Sequence, residues 1–269
     1  MPDILNVLKA SGQSEPFSEE KLEKSLVRAG ANDILAKWIT DKIKQRIKDR
    51  TKTSEIHDRA LSLLKKEEGP LAARYRLKQA IMEMGPTGHP FEKLIAWILR
   101  AEGYEAETNL IIKGKCVTHE VDVVAKKSGR QIMIEAKYHN EPGIKSDVKV
   151  AMYVHSRFED IRSVDKWDEA WLVTNTKLTG DAKEYSSCAG LTAIAWNYPR
   201  EKSLQYLIET SHLHPLTSLT SLDHWIKQSL LNDGLVLARE VTQEKLSELK
   251  VKPSKEEEIL KEVNSLLNG

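Results

Sequence analysis

The chain has 269 residues, 30% of them charged and 6% aromatic, with a formal net charge of +1. That length holds one large domain or two to three small ones, and the near-zero charge excludes a molecule that is basic all over, leaving any nucleic-acid affinity to local patches. No apolar run approaches the roughly 20 residues that span a bilayer, and MPDILNVLKASG lacks the basic, apolar and small-residue regions of a signal peptide, so a cytoplasmic protein with no membrane partner is expected.

Three segments are expected, 1–85, 86–212 and 213–269. The first opens with ILNVLK, ASGQ and SEPF, the pattern of a short hairpin with a glycine-containing turn. Four helical patterns follow. Ser18 caps the first, with Glu19 and Glu20 in its opening turn. Leu35, Trp38, Ile39, Ile43 and Ile47 mark the second. SEIHDRALSLLKK is the third and LAARYRLKQAIMEM the fourth. GPTGHP, Gly85 to Pro90, then interrupts the pattern as a linker.

The middle segment changes character. PFEKLIAWILRAEGY is an amphipathic helix with Phe91, Leu94, Ile95, Ile98 and Leu99 on one face. AETNLII, CVTHEVDVVAKK and QIMIEAKY read as strands, the last two joined by the turn SGR. A helix from about Ile144 to Ile161, the strand AWLVTNT, the helix TGDAKEYSSCAG and the strand TAIAWNY complete the order α-β-β-β-α-β-α-β. That order predicts an α/β mixed sheet covered on both faces. The last segment is helical, in SLDHWIKQSLLNDG, TQEKLSELK and SKEEEILKEVNSLLNG. Cys116 and Cys188 lie far apart and form no metal-ligand set, so both are expected to be buried or incidental thiols.

The informative residues sit on the second and third of the middle strands. Alternation in HEVDVVA sends Val121 and Val123 to one face and Asp122 to the other; in QIMIEAKY it places Glu135 and Lys137 opposite Ile132, Ile134 and Ala136. A tight turn makes the strands antiparallel neighbours, so Asp122 is brought near Glu135 and Lys137. Charged residues are poor strand formers, and their convergence suits hard-cation chemistry. Asp122, Glu135 and the Ala136 carbonyl offer the oxygen ligands that Mg²⁺ (or Mn²⁺) takes, while Lys137 is placed to orient a water and offset transition-state charge. Comparable triplets, Glu19/Lys21 and Glu248/Lys250, fall on helices and mean only a solvated face.

On FEKLIAWILRAEGYEAE, HEVDVVA, IMIEAKY and WLVTNTKLTGDAKEYSSCAGLTAIAW, residues 91–198 resemble the Mrr-type branch of the PD-(D/E)XK, restriction-endonuclease-like nucleases. The resemblance implies a metal-dependent nuclease with Asp122, Glu135 and Lys137 in the signature positions and Glu92 as the extra acid near the metal. His119-Glu120 departs from the small residue that members often carry there, and Glu120 shares the face of Asp122. Lys145 and Lys149, read as one helical turn apart, and Arg157 further along that helix are candidate contacts for DNA phosphates. His139 and Tyr153 are candidate supporting groups.

On VLKASGQSEPFSEEKLEKSLVRAG and LAARYRLKQAI, residues 4–84 resemble an ATP-cone, the nucleotide-sensing domain of ribonucleotide reductases and some repressors. The resemblance implies ATP or dATP contacts from Lys9, Gly12, Phe17, Lys21, Tyr75 and Arg76. Ala10 stands where the family usually has arginine, a cation that a neighbouring lysine does not replace. LLNDGLVLAREVTQEKLSELKV resembles SAM-like or helix-hairpin-helix modules without their glycine-rich phosphate-gripping turn. The expected function is a metal-dependent DNA endonuclease tuned by a nucleotide effector. The alternatives are a nucleotide-responsive DNA-binding or assembly protein that does not cut, and a junction-resolving nuclease of the same superfamily, which a homodimer would favour.

Overall fold

The computed structural model describes residues 5–67 and 69–268. In the first segment β1 (Asn6–Leu8) and β2 (Ser14–Pro16) form a hairpin. Gly12 in its turn has φ +79°, a left-handed conformation that a side chain would strain. α1 (Glu19–Arg28) starts at Ser18, whose hydroxyl accepts the Lys21 N–H, and α2 (Asp33–Lys44) at Asn32, which accepts from Leu35. β3 (Thr51–Lys52) pairs parallel with β1 and leads into α3 (Thr53–Glu67). Leu26, Ile39, Ile43, Ala60 and Leu64 close on Val7 as one core.

The fourth helical pattern, expected as one element, is two: α4 (Gly69–Tyr75) and α5 (Leu77–Met82), separated at Arg76. The break has a packing reason. Leu71 and Ala72 belong to the first core, whereas Leu77 and Ile81 turn into the central one. Leu77, Ile81 and Met84 share that core with Phe91 and Ile134, so the glycine- and proline-rich stretch is strapped down rather than a free tether. The Tyr138 hydroxyl donates to the Met82 carbonyl at 2.6 Å across it.

α6 (His89–Ala101) follows, with Pro90 in its first turn, where a missing N–H costs nothing. The central sheet runs β10-β8-β6-β5-β4. β4 (Glu105–Lys113), β5 (Thr118–Lys127) and β6 (Arg130–Lys137) are antiparallel; β8 (Glu169–Thr174) and β10 (Thr192–Ile194) add parallel to β6. α6 covers one face, where Phe91, Leu94 and Ile98 meet Val123, Ile132 and Ile134. α7 (Val148–Arg162) and α8 (Gly180–Cys188) cover the other, over Val121, Val124, Met133 and Leu172.

Three local expectations are corrected. Val121 and Val123 enter opposite cores, not one. The flanking pairs Thr108↔Val123 and Leu110↔Val121 set Asn109, whose φ of 59° kinks β4, opposite Asp122, and both strands change faces at that level: Ala106 and Val123 join one core, Leu110 and Val121 the other. Lys145 lies not on the helix but on β7 (Lys145–Ser146), which pairs with β9 (Lys177–Leu178) outside the main sheet. The helix starts later because the Asp147 carboxylate caps the N–H groups of Lys149 and Val150. β10 is shorter than TAIAWNY because Ala195 and Tyr198 bond each other and turn the chain.

α9 (Leu204–Ser211) packs Leu204 and Ile208 into the central core. α10 (His224–Asn232), α11 (Gln243–Glu248) and α12 (Pro253–Asn268) build a separate core from Ile226, Leu230, Leu246, Ile259 and Val263 that also takes in Ala73 of α4. Among the described residues no helix is long and apolar enough to cross a membrane. Cys116 and Cys188 are free and exposed.

Candidate active site

β5 and β6 pair from Lys127↔Arg130 up to Val123↔Ile134. One step further the same register would set Asp122 opposite Glu135, but there the strands part. The Asp122 Oδ2 accepts the Ala136 N–H at 2.7 Å, taking the place of a ladder carbonyl. β6 stays paired with β8 through Lys137↔Thr174, and β5 with β4 through Thr118↔Lys113. The two central strands therefore fork, and Asp122, Glu135 and Lys137 sit at the mouth. Lys137 is exposed, and its ammonium forms no hydrogen bond or ion pair among the described residues.

α7 supplies a group that was not expected in the site. Arg157 is 8% exposed; its Nη1 pairs with the Glu135 carboxylate, its Nη2 donates to the Glu120 carbonyl, and the Tyr153 ring lies 5.2 Å from its guanidinium. Arg157 is thus a buried partner of a candidate ligand, not a solvent-facing phosphate contact, whereas Lys149 is exposed as expected. The signal was present in the sequence. Ala151, Val154, Phe158 and Ile161 form the inward stripe of α7, and Arg157 falls within it. The Glu120 side chain is exposed, and its backbone carbonyl is what the site uses.

Glu92 is buried on α6 with an oxygen 3.1 Å from His89 Nδ1. Burial, and then the charge of Glu135, push the Asp122 carboxyl up to about 7. Burial also raises Glu135, opposed by Arg157 and Lys137, while Glu92 adds repulsion to both acids. His139 anchors the strand end through reciprocal bonds with Asn175, N–H to Oδ1 at 2.8 Å and carbonyl to Nδ2 at 2.7 Å, and its Nε2 is 3.1 Å from Ser146 Oγ. Tyr153 is exposed.

Among the described residues no three His, Cys, Asp or Glu side chains converge as a ready-made metal cage. The donor set nonetheless fits a hard divalent cation. Burial first, and for Asp122 also the charge of Glu135, disfavours the ionised acids, and a bound dication would favour their ionised forms.

In the first segment Lys9 pairs with Glu15 at 2.6 Å and Lys21 reaches the same carboxylate at 3.4 Å, beside the Gly12 turn. Phe17 and Tyr75 pack on the adjoining core, and the Tyr75 ring stacks on His57 at 4.5 Å. Arg76 does not join them. It is 9% exposed and its Nη2 holds Glu83, because the break after Tyr75 turns it toward the rest of the chain.

Comparison with known proteins gives three family matches: an ATP cone domain over residues 5–79, a restriction endonuclease domain (Mrr_cat) over 84–197, and AF1548-like, C-terminal over 214–267. An uncharacterized protein of Archaeoglobus fulgidus is 36% identical over 176 residues, which are 64% of this chain and 99% of the relative. The crystal structure of a protein of unknown function, AF1548, superposes with a TM-score of 0.58 at 34% identity, over 68% of this chain and all of that one.

Proposed function

The chain belongs to the AF1548-like family and carries an ATP-cone domain ahead of a restriction-endonuclease-like domain, and from that premise we propose that it is a metal-dependent endonuclease acting on DNA. The observation that carries this reading is the fork between β5 and β6, where Asp122 and Glu135 meet on strands that have just stopped pairing. The proposed working units are 1–85 for nucleotide sensing, 86–212 for cutting, and 213–269 as a helical accessory.

Asp122, Glu135 and the Ala136 carbonyl would hold Mg²⁺ or Mn²⁺, which supplies Lewis acidity at the scissile phosphate and an acidified water. The Ala136 N–H fixes the Asp122 carboxylate, so the ligand does not have to be ordered when the ion arrives. For Glu135 to serve as a ligand its pairing with Arg157 would have to loosen, while the bond from Arg157 Nη2 to the Glu120 carbonyl can keep the guanidinium beside the site. Lys137, with its ammonium free, orients the attacking water and offsets charge on the pentavalent phosphorus. Glu92, beside His89 on the adjacent helix end, would be the extra acid near the metal. A nucleotide on Lys9, Lys21 and the Gly12 turn would act as effector, freeing the two lysines from Glu15.

The test is supercoiled plasmid incubated with Mg²⁺ or Mn²⁺, with and without ATP or dATP. Nicking or linearisation by the native protein, lost in Asp122→Ala and Lys137→Ala, is the expected result. Intact plasmid under every condition, with DNA still bound, would favour a binding protein without cleavage, a reading to which the Arg157 pairing of Glu135 lends some support.

A further inference from the structure

A cleft of about 670 Å³ lies where α5, the Gly85–Pro86 strap, the loop after β6 and α10 meet. Its polar lining is Arg76, Glu83, Asn140, His224, Lys227 and Gln228. Lys227 is 9% exposed, and its ammonium has no hydrogen bond or ion pair among the described residues. It lies in the inward stripe of α10 with Ile226, Leu230 and Leu231, so the fold draws a charged side chain largely out of water without a hydrogen bond to its ammonium. Arg76 shares the cleft, and its Nε is buried without an acceptor. Glu83, the one carboxylate of the lining, is already held by Arg76 and by Gln79 Nε2 at 2.9 Å. Burial, and then the charge of Arg76, lower the Lys227 ammonium to about 8. An arriving anion would reverse both penalties.

The chemistry of the walls selects the anion. Two cations and the amides of Asn140 and Gln228 can donate to phosphate oxygens, and His224 is the one aromatic ring of the lining, with no Phe, Tyr or Trp beside it to form a stacking platform for a base. Asn140 stands three residues beyond Lys137, on the loop that Asn175 clamps at His139. The cleft is therefore tied to the same strand end as the candidate active site. We propose that it holds a backbone phosphate of the DNA strand beside the one being cut, with Lys227 and Arg76 as cationic contacts and Asn140 and Gln228 as neutral donors. This rests on the nuclease reading for the identity of the strand.

The experiment measures equilibrium binding of a labelled DNA duplex to the full chain in EDTA across a salt series, with ATP and inorganic phosphate as competitors, beside the plasmid-cutting assay. Lys227→Met keeps the aliphatic stem and removes a buried unpaired charge, so its melting temperature is expected to equal or exceed that of the native protein. It should weaken binding about 5- to 10-fold at low salt and lower the slope of log K against log salt by about 0.9, one phosphate contact. Asn140→Ala should weaken binding with the slope unchanged, as a neutral donor does. A native slope and affinity in Lys227→Met would overturn the proposal, as would a native protein that binds no duplex. Competition by ATP or phosphate that Lys227→Met abolishes, with the DNA slope intact, would overturn it in favour of a free phosphate ligand. Cutting with an unaltered slope removes only the cleft; an altered slope without cutting removes only the nuclease.

Discussion

Arg157 of α7 closes on Glu135 of β6, two charged residues 22 positions apart that are both largely buried. Removing one partner of such a pair leaves the other charge desolvated, which typically costs about 3–5 kcal/mol. Arg157→Met should therefore lower the stability of the metal-free protein by about 3 kcal/mol in urea melts with EDTA. Added Mg²⁺ should recover part of that loss by giving Glu135 a new counter-charge. A variant as stable as the native chain in EDTA would mean that the pair carries no folding energy.

Asp122 makes stability depend on pH. Its carboxyl is raised from 3.8 to about 7 in the fold, so between those values the folded state binds a proton that the unfolded state has lost. This contribution is fully present below about 4 and declines as the pH rises through about 7. Asp122→Asn should flatten that decline and stabilise the metal-free protein by about 1–2 kcal/mol near pH 8. Mg²⁺ should stabilise the native chain more near pH 8 than near pH 5, because the ion competes with the proton. A Mg²⁺ shift in melting temperature that does not change with pH would count against Asp122 as a ligand.

Lys9 and Arg76 part company in the nucleotide domain. Lys9 stands at the hairpin with Lys21 and Glu15, whereas Arg76 faces Glu83. Calorimetric titration with ATP should show Lys9→Ala binding at least 10-fold more weakly and Arg76→Ala binding as the native protein does. Equal losses in both would place the nucleotide elsewhere.

Asp160 fastens the outer end of β5 to α7. Its carboxylate accepts from the N–H groups of Cys116 at 2.8 Å and Val117 at 3.3 Å and lies 2.8 Å from His119 Nε2, contacts that hold it well below the usual carboxylate range. Gly114 leaves room for this arrangement. A Cβ there would collide with the Asp160 carboxylate and lie 2.7 Å from the Val117 carbonyl oxygen. Gly114→Ala should cost about 2 kcal/mol in thermal or urea melts. Unchanged stability would show that the loop shifts freely.

Periodicity and punctuation made most of the elements legible, because Ser18, Gly12, Pro90 and the apolar stripes act within a turn or two of chain. The acid pair was legible for the same reason: a tight turn and strand alternation are local rules, and they set Asp122 near Glu135 before any packing is considered. The kink at Asn109 was not, since alternation assumes an unbroken strand. Nor was the split at Arg76, where two cores pull on one helical pattern.

By itself, then, the sequence determined which residues form the central strands and that Asp122, Glu135 and Lys137 gather at one end of them. Only the tertiary structure decided which cations stand beside those acids and which stand apart. Arg157 and Lys227 lie in stripes that read as apolar, and Arg76 lies at a break. Where a long side chain in such a place delivers its charge depends on how helices distant in sequence dock, which no local rule specifies.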